Sequence, residues 1–295
     1  MNKKTIISII ILILLSCVSF FVWQKINLDS NKTPSILPEI DKLSTCTNSG
    51  GIWNPDTNTC FADDGDVYLE IEKAKTPETQ KYQKYLQESK AFDPIIEDIN
   101  NSFAFPYDIT VIFKNCDESN AFYYEDTKSI TMCYELMEDV NNIYADSWLT
   151  WDDLEAVVFN NMLATLFHEL WHAFIDIYKL PITWREEDVA DQISTYILLE
   201  TYDGWATAVL DAAEEYYVNH DKNPVEWKGF ADVHTSDLAR YYNLVCRVYG
   251  SDESQFSGLL EDTWITDDRA SWCAEEYNKF KKSLNMLLLK FTKIK

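Results

Sequence analysis

One stretch limits the architecture more than any other. From Asp152 to Tyr178 the chain reads as a single long helix, opened by an acidic first turn and stopped near Pro181. A helix of that length needs large partners on several sides. The segments around it supply candidates: Tyr82, Tyr85, Leu86, Phe92, Ile95, Ile96 and Ile99 fall at helical spacing from about Asp66 onward. Ile109 to Phe113 is short and β-branched, which predicts a strand. Ala121–Tyr124 and Ile130–Tyr134 flank a polar Glu-Asp-Thr-Lys turn and predict a hairpin. Glu186 to Tyr202 predicts a second helix, and the remainder reads as helical with loops around His220–His234 and Asp252–Asp268. Hairpin first and helices after points to an α+β domain.

Inside the long helix stands His168-Glu169-Leu170-Trp171-His172. Residues four apart share a helix face, so both imidazoles can converge on one cation, while Glu169 sits beside them as a general base for an activated water. Neutral imidazoles suit Zn²⁺, which takes about four ligands and at catalytic sites leaves one position open. A third protein ligand is sought downstream, in Arg185-Glu186-Glu187-Asp188-Val189-Ala190-Asp191. Periodicity does not separate Glu186 from Glu187, but the four-residue spacing to Asp191 favours Glu187 as ligand, with Asp191 holding the outer nitrogen of a ligand histidine. Glu186 and Asp188 are read as an acidic helix start favoured by the macrodipole. His234 is the candidate donor to a developing oxyanion, with Arg240 and Tyr123 behind it. His220, in a polar Asn-His-Asp-Lys segment, is read as solvated surface.

The first 25 residues read as a membrane address. Lys3 and Lys4 precede Thr5–Trp23, nineteen residues without a charge. At about 1.5 Å per residue such a helix spans about 28 Å, close to the hydrocarbon core of a bilayer and longer than an ordinary cleaved signal. A retained signal anchor over 1–25 is expected, with the body outside the cytoplasm, periplasmic or extracellular. Leu14-Leu15-Ser16-Cys17 also resembles a lipoprotein signal with Cys17 lipidated, although Val18–Trp23 stays apolar.

The remaining six cysteines are an even number in an exported chain and read as disulfides. Fifteen connectivities are formally open. Pairing in sequence order closes the shortest loops and is the expected one, with Cys46–Cys60 closing a Gly- and Asn-rich turn. Residues 26–65 then form a linker and a stapled module, and 66–295 the main domain.

These residues carry a resemblance. His168–His172 followed by Glu186–Asp191 resembles the gluzincin class of zinc metallopeptidases, of which thermolysin is the familiar member. Together with Asn120-Ala121-Phe122-Tyr123, Ile130–Leu136, Leu180–Gln192 and the late pair Cys246 and Cys273, the pattern is similar to a family of exported bacterial metallopeptidases long classed as of unknown function. The resemblance covers roughly Asp66 to Lys281. It implies a zincin-like fold and one Zn²⁺ per chain on His168, His172 and Glu187. Glu169 would be the catalytic base and Asp191 the outer partner. It also implies Cys116–Cys133 and Cys246–Cys273 bridges, and a protein or peptide substrate whose backbone lies along Asn120, Ala121 and Phe122. The His172-to-Glu187 spacing is shorter than in thermolysin, so pocket details are not carried across. A catalytically silent zincin-like module that binds a partner at the cell surface is the alternative, and the intact Glu169 argues against it.

Charge excludes one class of partner and hints at another. The net charge of -24 argues against nucleic acid, which needs clustered Lys and Arg. Residues 1–25 carry three Lys and no acid, and residues 278–295 six Lys and no acid. This leaves 26–277 with 16 basic and 49 acidic side chains. Such a body favours cationic substrates by steering, and the basic Leu-rich tail reads either as a membrane-facing segment or as a solvated helix.

Overall fold

The computed structural model describes residues 42, 44–46, 48, 51–54, 58–145, 149–201, 204–222 and 233–293. The anchor expected over 1–25, with Cys17, lies outside them. Among the described residues no helix is long and apolar enough to cross a membrane.

The domain is α+β. A four-stranded sheet has the order β3 (Val67–Ile71), β4 (Ile109–Lys114), β6 (Ser129–Cys133), β5 (Ala121–Tyr124). The β3–β4 and β4–β6 pairs are parallel, whereas β5 runs antiparallel to β6 with Ala121 opposite Met132, so β5 is an edge strand formed by a hairpin. Strand β4 alternates as a half-buried strand should, with Ile109, Val111 and Phe113 turned inward; the inner strand β6 is buried at every residue. Before the sheet, β1 (Ile52–Asn54) and β2 (Thr59–Phe61) form a small antiparallel ribbon.

Nine α-helices are assigned among the described residues beyond the ribbon. They are α1 (Pro77–Ser89), α2 (Asp93–Ser102), α3 (Tyr134–Ile143), α4 (Trp151–Tyr178), α5 (Glu186–Thr201), α6 (Ala206–Lys222), α7 (Asp237–Ser251), the single turn α8 (Leu259–Asp262) and α9 (Asp267–Leu288). The expected helical run from about Asp66 is corrected at Val67–Ile71, which is a strand. The sequence Val-Tyr-Leu-Glu-Ile alternates with period two, and the helix begins only after Thr76, whose side chain accepts from the Thr79 N–H. His220, expected in a loop, lies within α6 and is half-buried, so its surface reading is also corrected.

Helix α4 is the axis of the domain. Thr150 and Asp153 close it with a reciprocal capping box, and Lys179 ends it in the left-handed conformation two residues before Pro181. Met162, Leu163, Leu166, Leu170, Trp171, Ala173 and Phe174 have no exposed surface. A helix apolar on all sides needs partners on all sides. It has β5, β6 and α3 on one flank and α5 and α6 on the other.

All three disulfides pair in sequence order: Cys46–Cys60, Cys116–Cys133 and Cys246–Cys273. The last joins α7 to α9, where Gly250 is required: a Cβ there would lie 2.3 Å from the Cys273 carbonyl oxygen. The first fixes the ribbon, whose Phe61 packs edge-on against Tyr178 and Phe291, themselves stacked at 4.0 Å. Three lysines of the basic tail are paired with acids of the chain: Lys281 with Glu200, Lys279 with Glu275 and Lys293 with Asp63.

Candidate metal centre

Helices α4 and α5 bring three side chains to one point. His168 Nε2 lies 3.1 Å from Glu187 Oε2, His172 Nε2 lies 3.2 Å from His168 Nε2, and His172 Nε2 lies 3.4 Å from the same Glu187 oxygen. A tetrahedral ion with bonds near 2.0–2.1 Å separates its ligands by about 3.3–3.4 Å. The triangle is therefore already close to the size a zinc site needs, and two imidazole nitrogens with one carboxylate oxygen are the donor types zinc accepts. The other described metal-type cluster, Cys116, Cys133 and Glu135, has its sulfurs committed to a disulfide.

Behind the triangle each imidazole has an acid on its outer nitrogen. His168 Nδ1 is 2.9 Å from Asp191 Oδ1, and Arg240 clasps Asp191 through Nε at 2.8 Å and Nη2 at 2.7 Å. Burial works to raise the Asp191 pKa, but Arg240 and His168 hold it well below the usual carboxylate range. The Arg240 guanidinium also lies over the Tyr216 ring at 4.0 Å. His172 Nδ1 is 2.8 Å from Glu186 Oε1, so Glu186 does more than favour the helix start. Burial lowers the pKa of both histidines, yet the surrounding carboxylates outweigh it and leave each raised. Glu187 is depressed in turn: burial raises it, and hydrogen bonds from His168, His172 and His234 lower it further. Asp188 accepts from Trp184 Nε1 at 2.7 Å and from the Thr235 hydroxyl, tying the segment beside His234 to the start of α5.

Glu169 is turned to the sheet side of α4, buried, with its pKa raised chiefly by desolvation; His168 and His172, and a backbone hydrogen bond from Tyr123 on β5, pull the other way. A cavity of about 240 Å³ opens beside it, its lining including Asn120, Ala121, His168, Glu169 and His234. His234 Nε2 reaches Glu187 Oε2 at 3.1 Å, but His234 is outside the group whose ligand atoms all lie within 4.8 Å of one another. The Phe122 side chain is not among the lining residues, and instead contacts the Tyr124 ring. The Tyr123 hydroxyl donates to Asp176 at 2.7 Å, and Arg240 Nε and Nη2 are taken by Asp191.

Glu186 was read as an acidic helix start because its neighbour satisfied the same spacing, and its contact with His172 was not foreseen. Glu215 of α6 also lines the cavity, and its only sequence signal is a place on the helix face shared by Ala212 and Asn219.

A His/His/Glu group that could hold a metal ion and a buried carboxylate beside it make a candidate metal site on an α+β scaffold. The chain belongs to the family described as "Putative metallopeptidase", whose family model matches residues 71–288. That membership supports a peptidase that uses a metal and acts on a protein or peptide. No curated protein and no solved structure matches the chain.

Proposed function

We propose that this chain is a zinc-dependent peptidase, held at the outer face of a membrane by its N-terminal segment. The observation that carries the reading is the triangle of His168, His172 and Glu187, with edges of 3.1, 3.2 and 3.4 Å, inside a metallopeptidase family. These three residues would hold the ion, and Asp191 and Glu186 would keep the imidazole rings oriented. A zinc ion supplies Lewis-acid polarisation of the scissile carbonyl and a water acidic enough to react near neutral pH.

The chain's own groups do the rest. Glu169, next to the ligands and desolvated, takes the proton from the attacking water on a carboxylate oxygen and returns it to the leaving nitrogen. The free edge of β5, at Asn120 and Ala121, pairs with an extended substrate backbone by strand addition. His234, at the mouth of the cavity, donates to the developing oxyanion. The uncharged run Thr5–Trp23 behind Lys3 and Lys4 supports the tether.

The test combines metal analysis of the purified full-length chain with a peptide-library digest of wild type and Glu169→Gln. About one zinc per chain in both proteins, with hydrolysis lost at least 1000-fold in the variant, is the expected result. Zinc without cleavage by either protein would favour the silent binding module, and absence of zinc would remove both readings.

A further inference from the structure

The cavity beside the triangle is lined by more than the site's own residues. Helix α6 turns one face into it, and Glu215 stands on that face next to Asn219. Leu136 of α3, Leu198 of α5 and Leu244 of α7 line it too. A cavity that offers both leucine surface and a carboxylate is complementary to a side chain with a methylene stem and a cationic head.

Among the described residues no cation is hydrogen-bonded to Glu215. Its side-chain hydrogen bond is a long one from Asn219 Nδ2, at 3.5 Å. Arg240 is the cation that shares the cavity, but its Nε and Nη2 are both engaged on Asp191 and its face lies over Tyr216. Asp139, also on the cavity wall, accepts from the Ser119 hydroxyl and adds a second negative group. Arg240, engaged on Asp191, thus shares the cavity with four acids: Asp139, Glu169, Asp191 and Glu215.

We propose that this cavity is a specificity pocket for a lysine or arginine side chain of the substrate, with Glu215 as the carboxylate that receives the cationic head. The proposal rests on the peptidase reading for its substrate class, since only there do His168 and Glu169, which line the same cavity, mark the reacting bond. It narrows a general preference for cationic peptides, arising from net charge, to one position and one residue. The state of Glu215 agrees with it: burial pushes the pKa up to about 7, against the pull of Arg240, as befits a carboxylate to which no described cation is hydrogen-bonded. A bound ammonium or guanidinium would lower it again.

The test uses the full-length chain in detergent and peptides alike except for Lys, Arg, Leu or Glu at one position. Expected is a wild-type preference for Lys and Arg, with the ratio of kcat/KM for Lys over Leu falling about 10- to 100-fold in Glu215→Gln. Glu215→Lys should turn the preference toward the Glu peptide. A ratio unchanged in Glu215→Gln would overturn the proposal and leave the peptidase reading intact. Binding of the uncleaved amide Ala-Lys-Ala to Glu169→Gln, alone and combined with Glu215→Gln, is measured in parallel by calorimetry. If the wild type cleaves nothing but Glu215→Gln removes Lys-peptide binding, the pocket stands and the peptidase reading falls. If no lysine-selective binding and no lysine-selective cleavage are found, the pocket falls.

Discussion

Asp191 and Glu215 line one cavity, and their treatment could hardly differ more. Asp191 is clasped by Arg240 through two nitrogens and faces His168 on the third contact, and it stays ionised far below the ordinary range. Glu215, on a helix that brings no cation within hydrogen-bonding distance, is pushed up to about 7. The first carboxylate is completed by the fold; the second is left for something else to complete. A buried charge with its partner in place is a fixed part, and one without is an invitation.

The sharpest way to break that contrast is Asp191→Ala. It strands Arg240 beside a buried imidazole, and should cost about 3–5 kcal/mol, read by denaturant unfolding of the metal-free chain. Replacing both partners, with Asp191→Leu and Arg240→Met together, should recover much of that loss. If the double change is as damaging as the single one, the pair does not compensate Asp191 as described.

Glu215→Gln should move stability the other way. The folded pKa lies above the ordinary carboxylate value of 4.5, so the protonated group favours the fold. That contribution is complete below about 4.5 and is lost as pH rises through about 7. The variant should therefore be more stable than wild type at pH 8, by about 1–2 kcal/mol after allowance for partial exposure, and nearly equal to it at pH 4. Thermal melts at the two pH values check this, and equal shifts at both would count against an uncompensated carboxylate.

The smallest effect is expected at Glu186→Ala. The Glu186 side chain is 46% exposed, against 10% for Asp191, although both acids meet an imidazole at under 3 Å. Zinc affinity should fall only a few-fold there, and about 10- to 100-fold in Asp191→Asn, measured by competition with a chelating dye. Similar losses at both would mean that burial does not set the rank.

Much of the scaffold was legible because its signals are local. A run of 27 residues opened by acids and stopped before proline predicted α4 to within a residue; the β-branched stretch at 109–113 predicted β4; and short cysteine loops predicted all three bridges. Strand β3 was missed because its evidence is not local. Val67–Ile71 is a strand by virtue of a parallel partner about forty residues away, and on its own it is five residues with one charge. The same holds for the site. His168 and His172 announce themselves at a spacing of four, whereas Glu215 meets them only after two further helices have folded back on α4. Phe122 follows Asn120 and Ala121 along the edge strand, and its side chain does not line the cavity that they line.

The stack of Phe61, Tyr178 and Phe291 has a mechanical consequence. Tension on the chain ahead of Cys46 crosses the Cys46–Cys60 bridge, bypassing the loop between them, and reaches Phe61 one residue later. From there it passes through ring contacts to Tyr178, the last residue of the helix that bears both histidines, and to Phe291 near the chain's other end. A pull on the N-terminal side is thus grounded at the pole of the domain where α4 ends. Among the helices that line the cavity, α4 alone lies on that path; α3, α5, α6 and α7 do not.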